Sequence, residues 1–230
     1  MDKSFKHVSC ENCAVRDRSL FAGFTADEVN DLNHIKACNH YKKNQGLFIE
    51  GSIPRGVYCV NKGKVKVFTL GDEGKEQIIH IADEGEIIGF KAMFSGDPYR
   101  VSATTLEDAN ICFIHKDNFL SMIDSNAALR SGIMRELSKE LGERAVFITN
   151  MSQKSVRERL AVVLLMLQDI YKDEPINLSR EDMANFVGTA TETLIRLLKD
   201  FKEEGSIETT ARKLTITDRE KLLKLAGNHH

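Results

Sequence analysis

The sequence has no apolar run approaching the roughly 20 residues that a membrane-spanning helix needs. Its opening, MDKSFKHVSCENC, lacks the apolar core of a secretory signal. The chain is therefore expected to stay in the cytoplasm, with no membrane partner. It also lacks a charge excess. Its 32 lysines and arginines against 34 acidic residues leave a formal net charge of -2, so a polyanionic partner has to be met by a local surface. Cysteine is sparse: five residues, an odd number spread unevenly, make no disulfide framework and read as reduced thiols. Histidine is sparse where a metal enzyme would need it. The strands hold His80, in IIHIA, and His115 lies just beyond them, too few for the clustered ligands of a cupin-like metal enzyme. No catalytic residue is expected, and His80 reads as a structural strand residue rather than a haem ligand. What is present, 42% hydrophobic and 29% charged residues over 230 positions, is the balance of a globular chain long enough for two domains.

The two halves differ in pattern. From about Tyr41 to Ile114 glycine recurs at intervals close to a strand plus a turn, at Gly46, Gly51, Gly56, Gly63, Gly71, Gly74, Gly85, Gly89 and Gly96, which suggests an antiparallel barrel or roll. VYCVNKGKVKVFTL, Val57 to Leu70, alternates apolar and polar residues on both sides of NKG and predicts a hairpin. Ahead of it, TADEVNDLNHI places Thr25 as N-cap, Glu28 three residues on, and Val29, Leu32 and Ile35 on one helical face.

After FIHKDNF the chain turns helical. Met134, Leu137, Leu141, Ile148 and Met151 keep a 3-4 alternation broken only by Arg144, on a helix predicted from about Asn126 to beyond Asn150. Such a seam either covers the roll or pairs with its own copy. Leu129 and Ile133 form a second stripe beside it, so one face can meet the roll and another a partner subunit. The expected organisation is α+β: a β-roll effector domain over 1–125, a dimerisation helix over 126–154 and a helical head over 155–230. In the head, Leu160, Val163, Leu164 and Leu167 form a core stripe. Ser179 caps a short helix that buries Met183, Ala184 and Val187 and closes at Gly188. GSIETTARKLTITD then gives two short alternating segments about a basic tip, a β-hairpin wing.

Two short helices joined by a turn that begins at glycine, followed by a hairpin, make the winged helix-turn-helix arrangement. Leu194, Leu197, Leu198 and Phe201 form the rear of the second helix. Thr189, Ala190, Thr191, Glu192, Ile195 and Arg196 are left at its front and first turn, with Arg212 and Lys213 at the wing tip and Ser179 at the first helix's start. A carboxylate accepts from cytosine N4, a guanidinium donates twice to guanine, and a threonine methyl touches thymine. A second reading stands beside this one. Thr189 and Glu192 fit a capping box, and Arg196 is placed to be the surface ion-pair partner of Glu192.

LSREDMANFVGTATETLIRLLKDFKEEGSIE, behind a long helix and a glycine-punctuated roll, resembles the Crp/Fnr family of bacterial transcription regulators, from LFAGFTADEV to the wing. The resemblance implies a cyclic-nucleotide-binding-like β-roll, a homodimer, double-stranded promoter DNA as partner, and RNA polymerase as a further one. It places Glu192 and Arg196 at the base-reading positions. A ligand-responsive β-roll module that binds no DNA is the rival reading. In the nucleotide-binding branch a glutamate holds the ribose hydroxyl and an arginine-serine pair the cyclic phosphate. The matching positions here, Gly89, Phe90, Arg100, Val101 and Ser102, offer phenylalanine and valine instead, so cyclic AMP is not expected. IIGFKAMFSGDPY is similar to the oxygen-sensing branch, whose iron-sulfur cluster uses three amino-terminal cysteines and one in the roll. Cys10, Cys13 and Cys112 match three of those ligands, while the remaining position is Ser19. A serine oxygen is a hard donor for such a site, and Cys59 and Cys112 are each explained as small buried residues. No cofactor is expected.

Overall fold

The computed structural model describes residues 9–172 and 174–227. The chain forms two compact units, Met1–Leu70 with Ile79–Glu140 and Gly71–Ile78 with Leu141–His230. The first contains helix α1 (Ala26–Ile35), started by a complete capping box. The Thr25 backbone N–H donates to the Glu28 carboxylate at 2.8 Å, and that bond holds the Glu28 carboxyl below its ordinary value. Val29 and Leu32 are buried on the other face, as their spacing requires.

Eight strands follow: β1 (Lys36–Tyr41), β2 (Gly46–Phe48), β3 (Gly56–Lys62), β4 (Val65–Leu70), β5 (Glu76–Ala82), β6 (Ile87–Ile88), β7 (Ser102–Thr105) and β8 (Ala109–His115). They pair as two four-stranded sheets, β1-β8-β3-β6 and β2-β7-β4-β5. The predicted hairpin over Val57–Leu70 does not form. Its two arms are β3 and β4, which belong to different sheets: β3 pairs with β8 and β6, and β4 pairs with β7. Val57, Val60 and Val65 are all fully buried, more shelter than a two-stranded ribbon supplies, and the turn between the arms crosses from one sheet to the other. Gly63 makes that crossing at φ 92°, where an added Cβ would lie 2.9 Å from the Ala109 Cβ. Residue alternation reports which face a strand buries, not which strand it pairs with.

Helix α2 (Phe90–Ser95) interrupts the strands, α3 (Lys116–Ser125) follows them, and α4 (Ala127–Gln153) is the long helix. Leu129 and Ile133 of α4 are buried with Phe21, Phe90, Phe119 and Ile123 in one core. Each such side chain contributes about 1.5–3 kcal/mol of burial.

The second unit contains α5 (Val156–Tyr171), α6 (Arg180–Val187), α7 (Thr191–Glu203), strands β9 (Ile207–Thr210) and β10 (Lys213–Ile216), and α8 (Arg219–Ala226). Ser155 caps α5 with a capping box. Leu160, Val163, Leu164 and Leu167 are buried as the stripe predicts. β9 and β10 pair in antiparallel register, and Ile176 adds a further bridge to Leu214. α8 packs against α5, an element the sequence reading did not anticipate.

Candidate nucleic-acid interface and cysteine cluster

Local chemistry sets the pair α6–α7. Ser179 Oγ accepts from the Asp182 N–H at 2.9 Å and starts α6. Gly188 ends it at φ 73°, in the left-handed region that glycine enters without cost. The chain then needs only Thr189 and Ala190 to begin α7. The capping box proposed for Thr189 and Glu192 is absent: Ala190 is the N-cap, with no side-chain hydrogen bond, and Thr189 is buried at 8% exposure. The boundary lies one residue later than that box requires. Among the described residues, Glu192 and Arg196 form no ion pair.

The rear of α7, Leu194, Leu197, Leu198 and Phe201, is buried. Its front leaves Ala190, Glu192, Ile195 and Arg196 exposed, with Thr191 half-buried. Ile195, at 53% exposure, is an apolar side chain offered largely to solvent. The β9–β10 turn exposes Arg212 and Lys213, and Ala211 adopts φ 56° there. One residue escaped notice in the sequence. Nη1 of Arg180, in the first turn of α6, is buried and lacks a hydrogen-bond partner among the described residues.

Along α4, Met134, Leu141 and Ile148 recur every seventh residue and are 69%, 74% and 66% exposed. Leu137 is the seam position that leans on the core of the first unit, and Met151 is half-buried. The two stripes therefore separate: Leu129 and Ile133 are buried, whereas Met134, Leu141 and Ile148 of the seam are exposed among the described residues.

The expected effector residues lie on and around α2 and β7. Gly89 has φ 92° and precedes α2, which carries Phe90 into the core at 2% exposure. An added Cβ at Gly89 would lie 3.1 Å from the Tyr99 hydroxyl. Arg100 points to solvent and pairs with Asp97 at 3.5 Å. Val101 packs against the other core, and Ser102 Oγ accepts from the Glu50 N–H at 3.0 Å. His80 meets the Glu86 carboxylate at 2.7 Å, a structural pairing.

The expectation of five reduced thiols is overturned, because Cys38 and Cys112 are joined as a disulfide. The cause is register: Cys38 lies directly opposite Cys112 where β1 meets β8. Cys59 lies directly opposite Cys112 on its other side, where β3 meets β8. The sequence separation of 74 residues between the bridged cysteines hid this pairing. Cys10, Cys13, Cys59 and Cys112 all line one cavity of about 50 Å³. Burial raises the Cys10 thiol above its ordinary value and pushes the Cys59 thiol up to about 12. Asn61 Nδ2 donates to Cys13 Sγ at 3.3 Å, and Lys36 Nζ donates to Cys38 Sγ at 3.2 Å. Ser19, also in the cavity wall, uses its hydroxyl locally. It donates to the Arg16 carbonyl at 2.7 Å and accepts from the Phe21 N–H at 3.2 Å.

Residues 38–126 match the cyclic nucleotide-binding domain family, and residues 158–225 match the Crp-like helix-turn-helix domain family. Over 233 residues the chain is 27% identical to the transcriptional activator protein anr of Pseudomonas aeruginosa, covering 98% of this chain and 95% of that protein. It is 28% identical over 229 residues to the fumarate and nitrate reduction regulatory protein of Yersinia pestis, covering 96% and 91%. Among solved structures, FixK2 from Bradyrhizobium japonicum superposes with a TM-score of 0.78 at 20% identity, over 85% of this chain and all of that one. A CooA mutant from Carboxydothermus hydrogenoformans gives 0.74 at 24% identity, over 94% and 99%.

Proposed function

The chain belongs to the Crp/Fnr family of non-enzymatic, DNA-binding transcription regulators, and we propose that it works as a homodimer that reads inverted-repeat promoter sites through α7 under an effector other than cyclic AMP. The observation that carries this reading is the front of α7. A helix start with no side-chain cap leaves Glu192, Ile195 and Arg196 exposed and unpaired over a buried rear. Base edges satisfy those groups: Arg196 donates twice to guanine, and Glu192 accepts from cytosine N4. Arg212 and Lys213 at the wing tip touch phosphate, which fixes register without reading sequence. Ser179 lies exposed at the α6 start, where helix N–H groups suit a phosphate oxygen.

A second subunit covers the Met134, Leu141 and Ile148 stripe and sets two copies of α7 about one helical turn, roughly 34–36 Å, apart. Bound in the cytoplasm at such a site, the dimer has RNA polymerase as its further partner. Against cyclic AMP stands Phe90, which occupies a core position where a ribose hydroxyl would need an acceptor. The test is a band shift on promoter DNA over a salt series. Lys213→Ala is expected to weaken all sequences alike and to lower the salt slope by about 1. A slope unchanged by Lys213→Ala would remove the wing from the interface.

A further inference from the structure

We propose that Lys75 and Gln77, which lie outside both the helix pair and the wing, are positioning residues for base reading: with Arg159 they hold the turn between α6 and α7 and so fix how α7 meets DNA. This assignment rests on the reading of α7 proposed above and adds to it residues that touch no DNA. Segment Gly71–Ile78 belongs to the same compact unit as Leu141–His230. It opens with a tight turn, in which the Gly71 N–H donates to the Lys75 carbonyl at 2.9 Å and the Gly74 N–H to the Gly71 carbonyl at 2.8 Å. Gly74 has φ 74° there, in the region that favours glycine. Lys75 ends that turn, exposed, and Gln77 follows in β5, half-buried.

The end of α6 needs donors from elsewhere, because the last carbonyls of a helix have no helical N–H to accept from. The N–H groups of Gly188 and Thr189 both go to the Ala184 carbonyl, at 2.9 and 3.0 Å, which leaves the carbonyls from Asn185 onward to other partners. Asn185, Phe186 and Val187 are buried at 8%, 1% and 0% exposure, where an unpaired carbonyl is costly. Three side chains meet this need. Gln77 Nε2 donates to the Asn185 carbonyl at 2.8 Å and the Ile78 carbonyl at 3.0 Å, with a longer contact of 3.4 Å to the Phe186 carbonyl. Arg159 Nε donates to the Val187 carbonyl at 3.0 Å and its Nη2 to the Gly188 carbonyl at 3.1 Å. Lys75 Nζ donates to the Thr189 carbonyl at 3.1 Å. Five consecutive carbonyls, Asn185 to Thr189, thus each meet a side-chain donor. Two of the three donors are cations at the C-terminal end of α6, the end that the helix dipole makes negative.

This hold bears on reading because α7 has little of its own at that end. Its N-cap, Ala190, makes no side-chain hydrogen bond, so the start of the helix is placed by the turn that leads into it. Gly188 lies close against Gln77: an added Cβ would come within 3.1 Å of Gln77 Oε1 and 3.3 Å of Met151 Sδ. Arg159 carries the same hold to the start of α5, where its Nη1 donates to the Lys154 carbonyl at 2.9 Å. Glu192 and Arg196 follow within the first two turns of α7. A polar contact to a base edge works only when its geometry is kept within about 0.5 Å, whereas a phosphate contact carries no sequence information and tolerates a looser fit. Releasing the turn therefore costs preference between sequences rather than attachment to DNA.

The test is a band shift with the full chain, on the duplex it selects from a random pool and on random duplex, over a salt series. Lys75→Met keeps the stem and loses the donor, and Gln77→Leu keeps the volume and loses the amide. Each is expected to weaken binding to the selected duplex about tenfold. Binding to random duplex should stay within about twofold, with the salt slope unchanged, because phosphate charge sets it. The ratio of the two affinities is the readout, since mere loss of folded protein lowers both by the same factor. Lys75→Arg, which keeps a cationic donor in reach, should restore the ratio. A ratio unchanged by either Lys75→Met or Gln77→Leu overturns the proposal. So does an equal loss on both duplexes in Lys75→Met with a salt slope lower by about 1, which would make Lys75 a phosphate contact. Arg196→Ala in the same assay separates the two readings. If it lowers the ratio and the Lys75 and Gln77 variants do not, the hold on the turn falls and the α7 reading stands; if wild type prefers neither duplex, both fall.

Discussion

Replacing Leu141 should shift the monomer–dimer equilibrium far more than replacing any other exposed apolar residue of α4 outside the seam. Met134, Leu141 and Ile148 are 69%, 74% and 66% exposed, on one line of the helix. Fully burying such a side chain is worth about 1.5–3 kcal/mol. With about two-thirds of each still to be covered, truncating Leu141 to alanine removes about 1–2 kcal/mol per chain, or about 2–4 kcal/mol per dimer because the two-fold counts it twice. That is about 30- to 1,000-fold in the dimer dissociation constant. Leu141→Lys should act more strongly, since it places two like charges in the seam. Sedimentation equilibrium over a concentration series measures both, with Val146→Lys as control. Val146 is 46% exposed but lies off the seam, and its substitution should leave the constant within about twofold, the scale of a neutral surface change. An unchanged dimer in Leu141→Lys, or equal damage from Val146→Lys, would refute the assignment of this stripe.

Cyclic AMP at ten times an assumed dissociation constant would stabilise a binding protein by about 1.4 kcal/mol. Here no rise in melting temperature is expected, because Phe90, the residue proposed to stand in place of the ribose acceptor, is apolar and buried. Thiol titration of the unfolded chain without reductant should give three thiols, and five after reduction. In the folded protein, alkylation of Cys59 should be slow at neutral pH and rise about tenfold per pH unit towards a thiol value of about 12; a fast, pH-independent reaction would contradict its burial. Ser155→Ala removes the capping box of α5 and should cost about 1 kcal/mol in chemical denaturation, with the preferred DNA sequence unchanged.

The helical head was legible because its signals are local. Ser179 as cap, Gly188 as terminator and the buried rear of α7 each depend on residues within a few positions, and all three stand as the sequence predicts. The α7 start was ambiguous at the level of one residue. Thr189 is the better N-cap by residue type, yet it is buried and the helix starts from Ala190 with no side-chain cap. The roll was legible as a class but not as a pairing. NKG reads as a hairpin turn, yet the arms it joins lie in different sheets, β3 beside β8 and β6, and β4 between β7 and β5. The same limit hid the cysteine rung. Cys59 is an ordinary buried small residue when read alone; only the joint register of β1, β8 and β3 sets it beside Cys112 and the cavity.

The central claim, that the front of α7 reads bases, is tested most directly by selecting binding sites from random duplexes with wild type and with Arg196→Ala. If Arg196 donates to a guanine edge, the wild type should return an inverted repeat, and the variant should lose about 1–3 kcal/mol on that site with its preference flattened at one base pair per half-site. An identical ranking of sites from both proteins would contradict the account.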